Sequence, residues 1–177
     1  MRTVTGLVFD LPHGPWMGDV MRLRAAYDRV RLRFPIEITV VGSSGLGWFS
    51  LSVARDELVH KVREASKTFS PFAFRFASVK RFPSSNVYYL KPLDDRPFHA
   101  FQANLAAAGL SFESTPYRYV PHCTVAELPS DAAATAHEEV MQCPVPDHDI
   151  RVTSVSFYTV DRETQRCYQH ERVGLGV

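Results

Sequence analysis

Two short segments of this chain set a proton-carrying side chain two residues ahead of a threonine. They are Glu37-Ile38-Thr39-Val40 and His122-Cys123-Thr124-Val125. In a β-strand, residues i and i+2 point to the same face. Glu37 therefore shares a face with Thr39, and His122 shares one with Thr124, while Cys123 points the other way into a core position. A titratable group beside a hydroxyl suits proton transfer to or from a phosphate ester, with the hydroxyl donating to a phosphoryl oxygen. An unperturbed glutamate titrates near ~4.3 and is ionised at neutral pH, so Glu37 can act as a base. Its charge across a cleft would favour the imidazolium form of His122, the form an acid needs.

Other residues could serve the same site. Arg118 lies an even number of residues before His122 and could reach a phosphate, although Pro121 can disturb the alternation. Phe82, Tyr88 and Tyr89 could stack on a base. The remaining histidines show no ligand spacing with an acidic or cysteine partner, so no metal site is expected. The stretch Gly42-Ser43-Ser44-Gly45-Leu46-Gly47 lacks the Gly-Lys-Ser/Thr ending of a phosphate loop and reads as a turn.

The elements that must position these groups can be read from periodicity. Strands are expected over Thr3–Phe9, Ile36–Val41, Phe72–Phe76, Asn86–Leu90 and His122–Ala126. Val20, Leu23, Tyr27 and Val30 recur at helical spacing, with arginines between them. Ala54, Leu58, Val62 and Ala65 mark a second helix, with Ser52 as its candidate cap. A third starts near Asp95, with Pro97 in its first turn and Gly109 as its stop. A fourth runs from Ser130 to about Gln142. Val152–Val160 and Cys167–Val173 form a closing hairpin around Asp161-Arg162-Glu163-Thr164, while Trp48–Val53 could be a strand or an extended lead-in. The expected class is α+β with mixed or antiparallel sheets, because a hairpin must be antiparallel.

The chain has 177 residues, 45% hydrophobic and 22% charged, as in ordinary globular proteins. A net charge of +1 provides no general field for nucleic acid, so a phosphate-bearing ligand needs a local site. Three cysteines without a CxxC pair argue against a disulfide framework or structural zinc, and for a reducing cytoplasm. The N-terminal apolar stretch is broken by Asp10 and Pro12, unlike a signal peptide, and no window reaches the ~20 apolar residues of a membrane helix.

With these elements in order, the chain resembles the two-histidine phosphoesterases, which include bacterial 2′-5′ RNA ligase-like proteins and cyclic nucleotide phosphodiesterases. The resemblance rests on Val4-Thr5-Gly6-Leu7-Val8-Phe9, the Phe82-Pro83 step, Pro121-His122-Cys123-Thr124-Val125, and Val155-Ser156-Phe157-Tyr158-Thr159-Val160-Asp161-Arg162-Glu163. It implies one bilobal domain over residues 1–177. Two pseudo-symmetric lobes, each an antiparallel or mixed sheet with helices on its outer face, would enclose a central cleft. One His-x-Thr/Ser motif from each lobe would face that cleft, with one histidine as base and the other as acid on a 2′,3′-cyclic phosphate or 2′-5′ diester. No metal or other cofactor is implied. His122, Thr124 and Thr39 match the pattern, while Glu37 stands where the first histidine belongs.

Two functions from different classes follow. One is a modified, metal-independent phosphodiesterase with Glu37 as base and His122 as acid. The other is a non-catalytic module that binds a nucleotide or RNA end bearing a phosphate. A small interaction protein without a ligand is a third reading. No membrane contact and no obligatory protein partner are expected.

Overall fold

A computed structural model describes residues 3–177; Met1 and Arg2 lie outside the described residues. Strand β1 (Thr3–Asp10) leads through helix α1 (Trp16–Tyr27) and a 3-10 turn (Arg31–Arg33) to β2 (Glu37–Val41). Helix α2 (Arg55–Lys67) then precedes β3 (Phe72–Phe74), β4 (Phe76–Arg81) and β5 (Val87–Pro92). Helix α3 (Arg96–Ala107), β6 (Cys123–Glu127) and helix α4 (Ala133–Met141) follow, and β7 (Ile150–Val152), β8 (Ser154–Asp161) and β9 (Arg166–Gly174) close the chain.

One sheet has the order β2-β1-β8-β9, a second β4-β5-β6, and β3 pairs with β7 in a small ladder. Every described pairing between strands is antiparallel. The α+β expectation therefore holds, on the antiparallel side of the choice. Strands β2 and β6, which carry the two threonine segments, are edge strands of their sheets and lie against each other.

Alternation along β1 and β2 divides the first sheet into two faces. Leu7, Phe9, Ile38 and Val40 enter the main core, where Phe9 meets Phe72, Phe98 and Phe101 at ring-centroid distances of 5.5, 5.3 and 5.2 Å. Val4, Val8, Tyr158 and Val160 form a separate small cluster, with Phe34, Trp48 and Cys167 packed on it. Val8 is paired with Thr39, and Asp10 with Glu37. Gly6 permits this arrangement: a Cβ there would lie 2.3 Å from the Val41 carbonyl oxygen and 2.6 Å from the Tyr158 ring.

Several boundaries differ from the periodic reading. Helix α1 ends at Tyr27, because Asp28 turns the backbone to φ −140°, and Val30 is left 45% exposed. Ala54, without a side-chain bond, occupies the N-cap of α2, while the Ser52 hydroxyl pairs with that of Ser50. The phenylalanine strand is two strands, since β3 pairs with β7 and β4 with β5. Residues 48–53 form no strand, only an isolated bridge between Phe49 and Phe112. Gly109 does close α3 in the left-handed region, at φ +68°.

Candidate active site

Glu37 and Thr39 project from the β2 face opposite the main core, beside Val8 and Tyr158. The Thr39 hydroxyl donates to Glu37 Oε1 at 3.1 Å, whereas Oε2 is buried without a hydrogen-bond partner. Burial disfavours the charged carboxylate and pushes its pKa up to about 7, against the opposing pull of the Thr39 hydrogen bond, Arg24 and Arg31. Tyr158 and the Tyr119 hydroxyl stand around the same strand; Tyr119 donates to the Thr39 carbonyl at 3.0 Å. Gly42 keeps this corner open, because a Cβ there would meet Thr39 Cγ2 at 2.8 Å and the Tyr158 hydroxyl at 2.9 Å.

A cavity of about 950 Å³ opens over Glu37 and Thr39. Trp48, Tyr158 and Arg162 form part of its wall on the side of the first sheet, and Asn86, Glu127 and Ser130 on the side of the β4-β5-β6 sheet. His122 and Thr124 do not line it.

His122 lies one residue before β6 and is half-buried. Its Nδ1–H donates to the Val120 carbonyl at 2.6 Å, a tautomer inferred from that partner, which leaves the Nε2 lone pair to accept a proton. Phe82 and Tyr89 meet the ring edge-on at 5.0 and 5.3 Å. Burial lowers the imidazole pKa below its ordinary 6.5; the Val120 bond opposes that shift and the Arg31 charge adds to it. The neutral ring is therefore the favoured form. These directions run against the expected division: burial makes Glu37 easier to protonate and His122 harder.

The two segments are linked from behind. Cys123, next to His122, sets its thiol against the Glu37 backbone, and burial pushes that thiol up to about 12, far from a reactive range. Arg24 of α1 is 2% exposed. Its guanidinium donates to Thr124 O at 2.6 Å and Val125 O at 3.3 Å on β6. It also donates to Arg31 O, Phe34 O and Pro35 O at 3.1, 3.0 and 3.3 Å on the approach to β2. One buried cation thus ties both strands, and the sequence analysis missed it. The available signal was position: Arg24 stands four residues after Val20 and three before Tyr27, inside the apolar stripe rather than among the polar residues between.

The other expected residues divide. Phe82 is half-buried and stacks on Tyr89 at 4.3 Å, so it walls His122. Tyr88 is 0% exposed and its hydroxyl pairs with His137 Nδ1 at 2.8 Å, which removes it as a stacking surface; Tyr89 is the residue on the His122 side. Arg118 is exposed in the loop before His122, outside the cavity and without a hydrogen bond or ion pair among the described residues. No group of three or more histidine, cysteine or acidic side chains that could hold a metal occurs among the described residues. Nor is any described helix long and apolar enough to cross a membrane.

The family model described as the 2′-5′ RNA ligase superfamily matches residues 12–164, which include both threonine segments. The chain belongs to that superfamily. Solved structures agree in fold across the whole length. Escherichia coli LigT complexed with 3′-AMP is 15% identical, with TM-score 0.60 and 100% of both chains covered. LigT complexed with ATP is 17% identical, with TM-score 0.61 over 99% of this chain and 98% of that one. A Thermus thermophilus protein is 15% identical, with TM-score 0.62 over 98% of each chain. No curated protein sequence matches the chain. At such identities the structures establish a shared fold.

Proposed function

We propose that this superfamily member is a metal-independent phosphodiesterase acting on 2′,3′-cyclic phosphates or 2′-5′-linked ends of RNA or nucleotides. The observation that carries the reading is the protonation pattern: Glu37 raised to about 7 with an unbonded, buried Oε2, and His122 held neutral by burial. For a cyclic phosphate, His122 Nε2 takes a proton from water as its oxygen bonds to phosphorus. The bond from phosphorus to the 3′ oxygen breaks, Glu37 protonates that oxygen, and a 2′-phosphate leaves. Thr39 and Thr124 donate to the phosphoryl oxygens as charge builds. The free cysteines Cys123, Cys143 and Cys167 support a reducing, cytoplasmic setting.

The test is product analysis with a 2′,3′-cyclic nucleotide in EDTA. Turnover to the 2′-phosphate, reduced by Glu37→Gln and by His122→Ala, is the expected result. Turnover unaffected by either change would discard the assignment. A second reading, a nucleotide-end binder without chemistry, is favoured by one observation: His122 does not line the cavity that Glu37 and Thr39 line. Nucleotide binding without turnover would decide for it.

A further inference from the structure

Glu37 brings a carboxyl and no cation to the cavity, so a phosphate bound there needs its positive charge from another group. Arg31 occupies the right place. Its side chain lines the cavity with Glu37 and Thr39, is 31% exposed, and is the cation whose field acts on both Glu37 and His122.

Its present partners hold it loosely. Nη2 lies 3.3 Å from Glu127 Oε2, and Nε lies 3.5 Å from Asp28 Oδ2, is buried, and makes no hydrogen bond. Charge-assisted hydrogen bonds normally close to about 2.7–2.9 Å. Elsewhere on the surface this chain reaches that range, as between Lys61 and Glu57 at 2.8 Å. Asp28 is already committed, accepting from the backbone N–H of Arg31 at 3.0 Å and of Glu127 at 2.7 Å. The backbone under Arg31, by contrast, is firmly placed, because Arg24 binds its carbonyl. The result is a fixed root, a loosely held guanidinium, and an unbonded donor.

We propose that Arg31 is the phosphate-binding cation of this cleft, leaving Glu127 to take the ligand's phosphoryl oxygens through its planar fork. Guanidinium geometry suits bidentate contact with phosphate, which an ammonium or imidazolium gives less well. This inference rests on the phosphodiesterase reading for the site's location, but not for its chemistry. It needs only that a phosphate-bearing nucleotide binds there.

The experiment is calorimetric titration of the full chain with 3′-AMP in EDTA, for wild type, Arg31→Met, Arg31→Lys and Glu127→Gln. Arg31→Met is expected to weaken binding roughly tenfold or more, the usual scale for losing a hydrogen bond to a charged group. Arg31→Lys should recover part of the loss. Glu127→Gln, which frees the guanidinium, should tighten binding several-fold in the wild-type chain and much less in one already carrying Arg31→Met, a coupling that a purely structural Arg31 would not produce. Unchanged affinity in Arg31→Met and Glu127→Gln, or no 3′-AMP binding by wild type, overturns the proposal. Should Arg31→Met fail to fold, the Lys and Gln variants decide. Hydrolysis of 2′,3′-cyclic AMP, measured in parallel, separates the two readings. Arg31-dependent binding without turnover sinks the catalytic reading alone, while turnover with KM unmoved by Arg31→Met sinks the Arg31 assignment alone.

Discussion

The hydroxyl of Thr39 donates to Oε1 of Glu37, while Oε2 of the same carboxyl is buried with nothing to bond. A half-satisfied carboxyl in a desolvated place favours the form that carries its own proton. In this fold Glu37 therefore holds its proton to higher pH than an exposed glutamate does.

That has a consequence for stability. The folded pKa of Glu37 is about 7, above its ordinary 4.5. The protonated form is thus favoured by folding, and its contribution is complete below about 4.5 and lost as pH rises through about 7. Glu37→Gln should remove this dependence. Melting curves at pH 5 and pH 8 are expected to show the variant gaining on wild type at pH 8, at about 2–4 °C per kcal/mol for a chain of this size. Equal differences at both pH values would contradict the assignment.

Activity should follow the same pair. The competent form has Glu37 protonated and His122 neutral, so the rate on a 2′,3′-cyclic nucleotide should rise as His122 loses its proton below 6.5. It should fall as Glu37 ionises around 7. Glu37→Gln and His122→Ala should each lower kcat by roughly 10²–10⁴-fold. Glu37→Gln should also abolish the fall at high pH, which a rate–pH profile would show.

Phe82 and Tyr89 keep water from His122. Phe82→Ala should re-solvate the imidazole and move its pKa up toward 6.5. The ring proton shifts of His122, followed by NMR across pH 4–9, are the direct measurement; an unmoved or lower value counts against the burial argument.

Arg24 joins β6 to the approach of β2 through five backbone carbonyls. Arg24→Met would leave buried acceptors unpaired, at roughly 1–3 kcal/mol each before relaxation. A loss of at least ~3 kcal/mol in urea unfolding is expected, with Arg24→Lys recovering only part because an ammonium cannot span the same carbonyls. A loss below ~1 kcal/mol would show that the clasp is not needed.

Part of the β2 segment was legible because it depends on a period of two. Glu37 and Thr39 share a face and a hydrogen bond, and Cys123 is buried as a core residue, whereas His122 precedes β6 and neither it nor Thr124 lines the cavity. The choice between Tyr88 and Tyr89 was not legible. The two are neighbours in β5 and point to opposite faces, one to His137 and the other to His122. Alternation separates them, but which face meets His122 is set by pairing with β6, far away in the sequence. The splitting of the phenylalanine strand was equally hidden, because its two halves pair with strands far apart in the chain.

The sequence by itself determined the class of elements and the presence of two threonine segments, one led by a glutamate and the other by a histidine. Those are matters of residue type and local spacing. Tertiary structure alone decided in which direction the pKa of each proton carrier moves, because that depends on burial and on charges brought from α1 and the turn after it. It also decided that Arg24 lies inside, bonding carbonyls about 100 residues away, and that Arg31 stands over the cleft. Long-range packing sets the local dielectric, and with it the chemistry that Glu37 and His122 can perform.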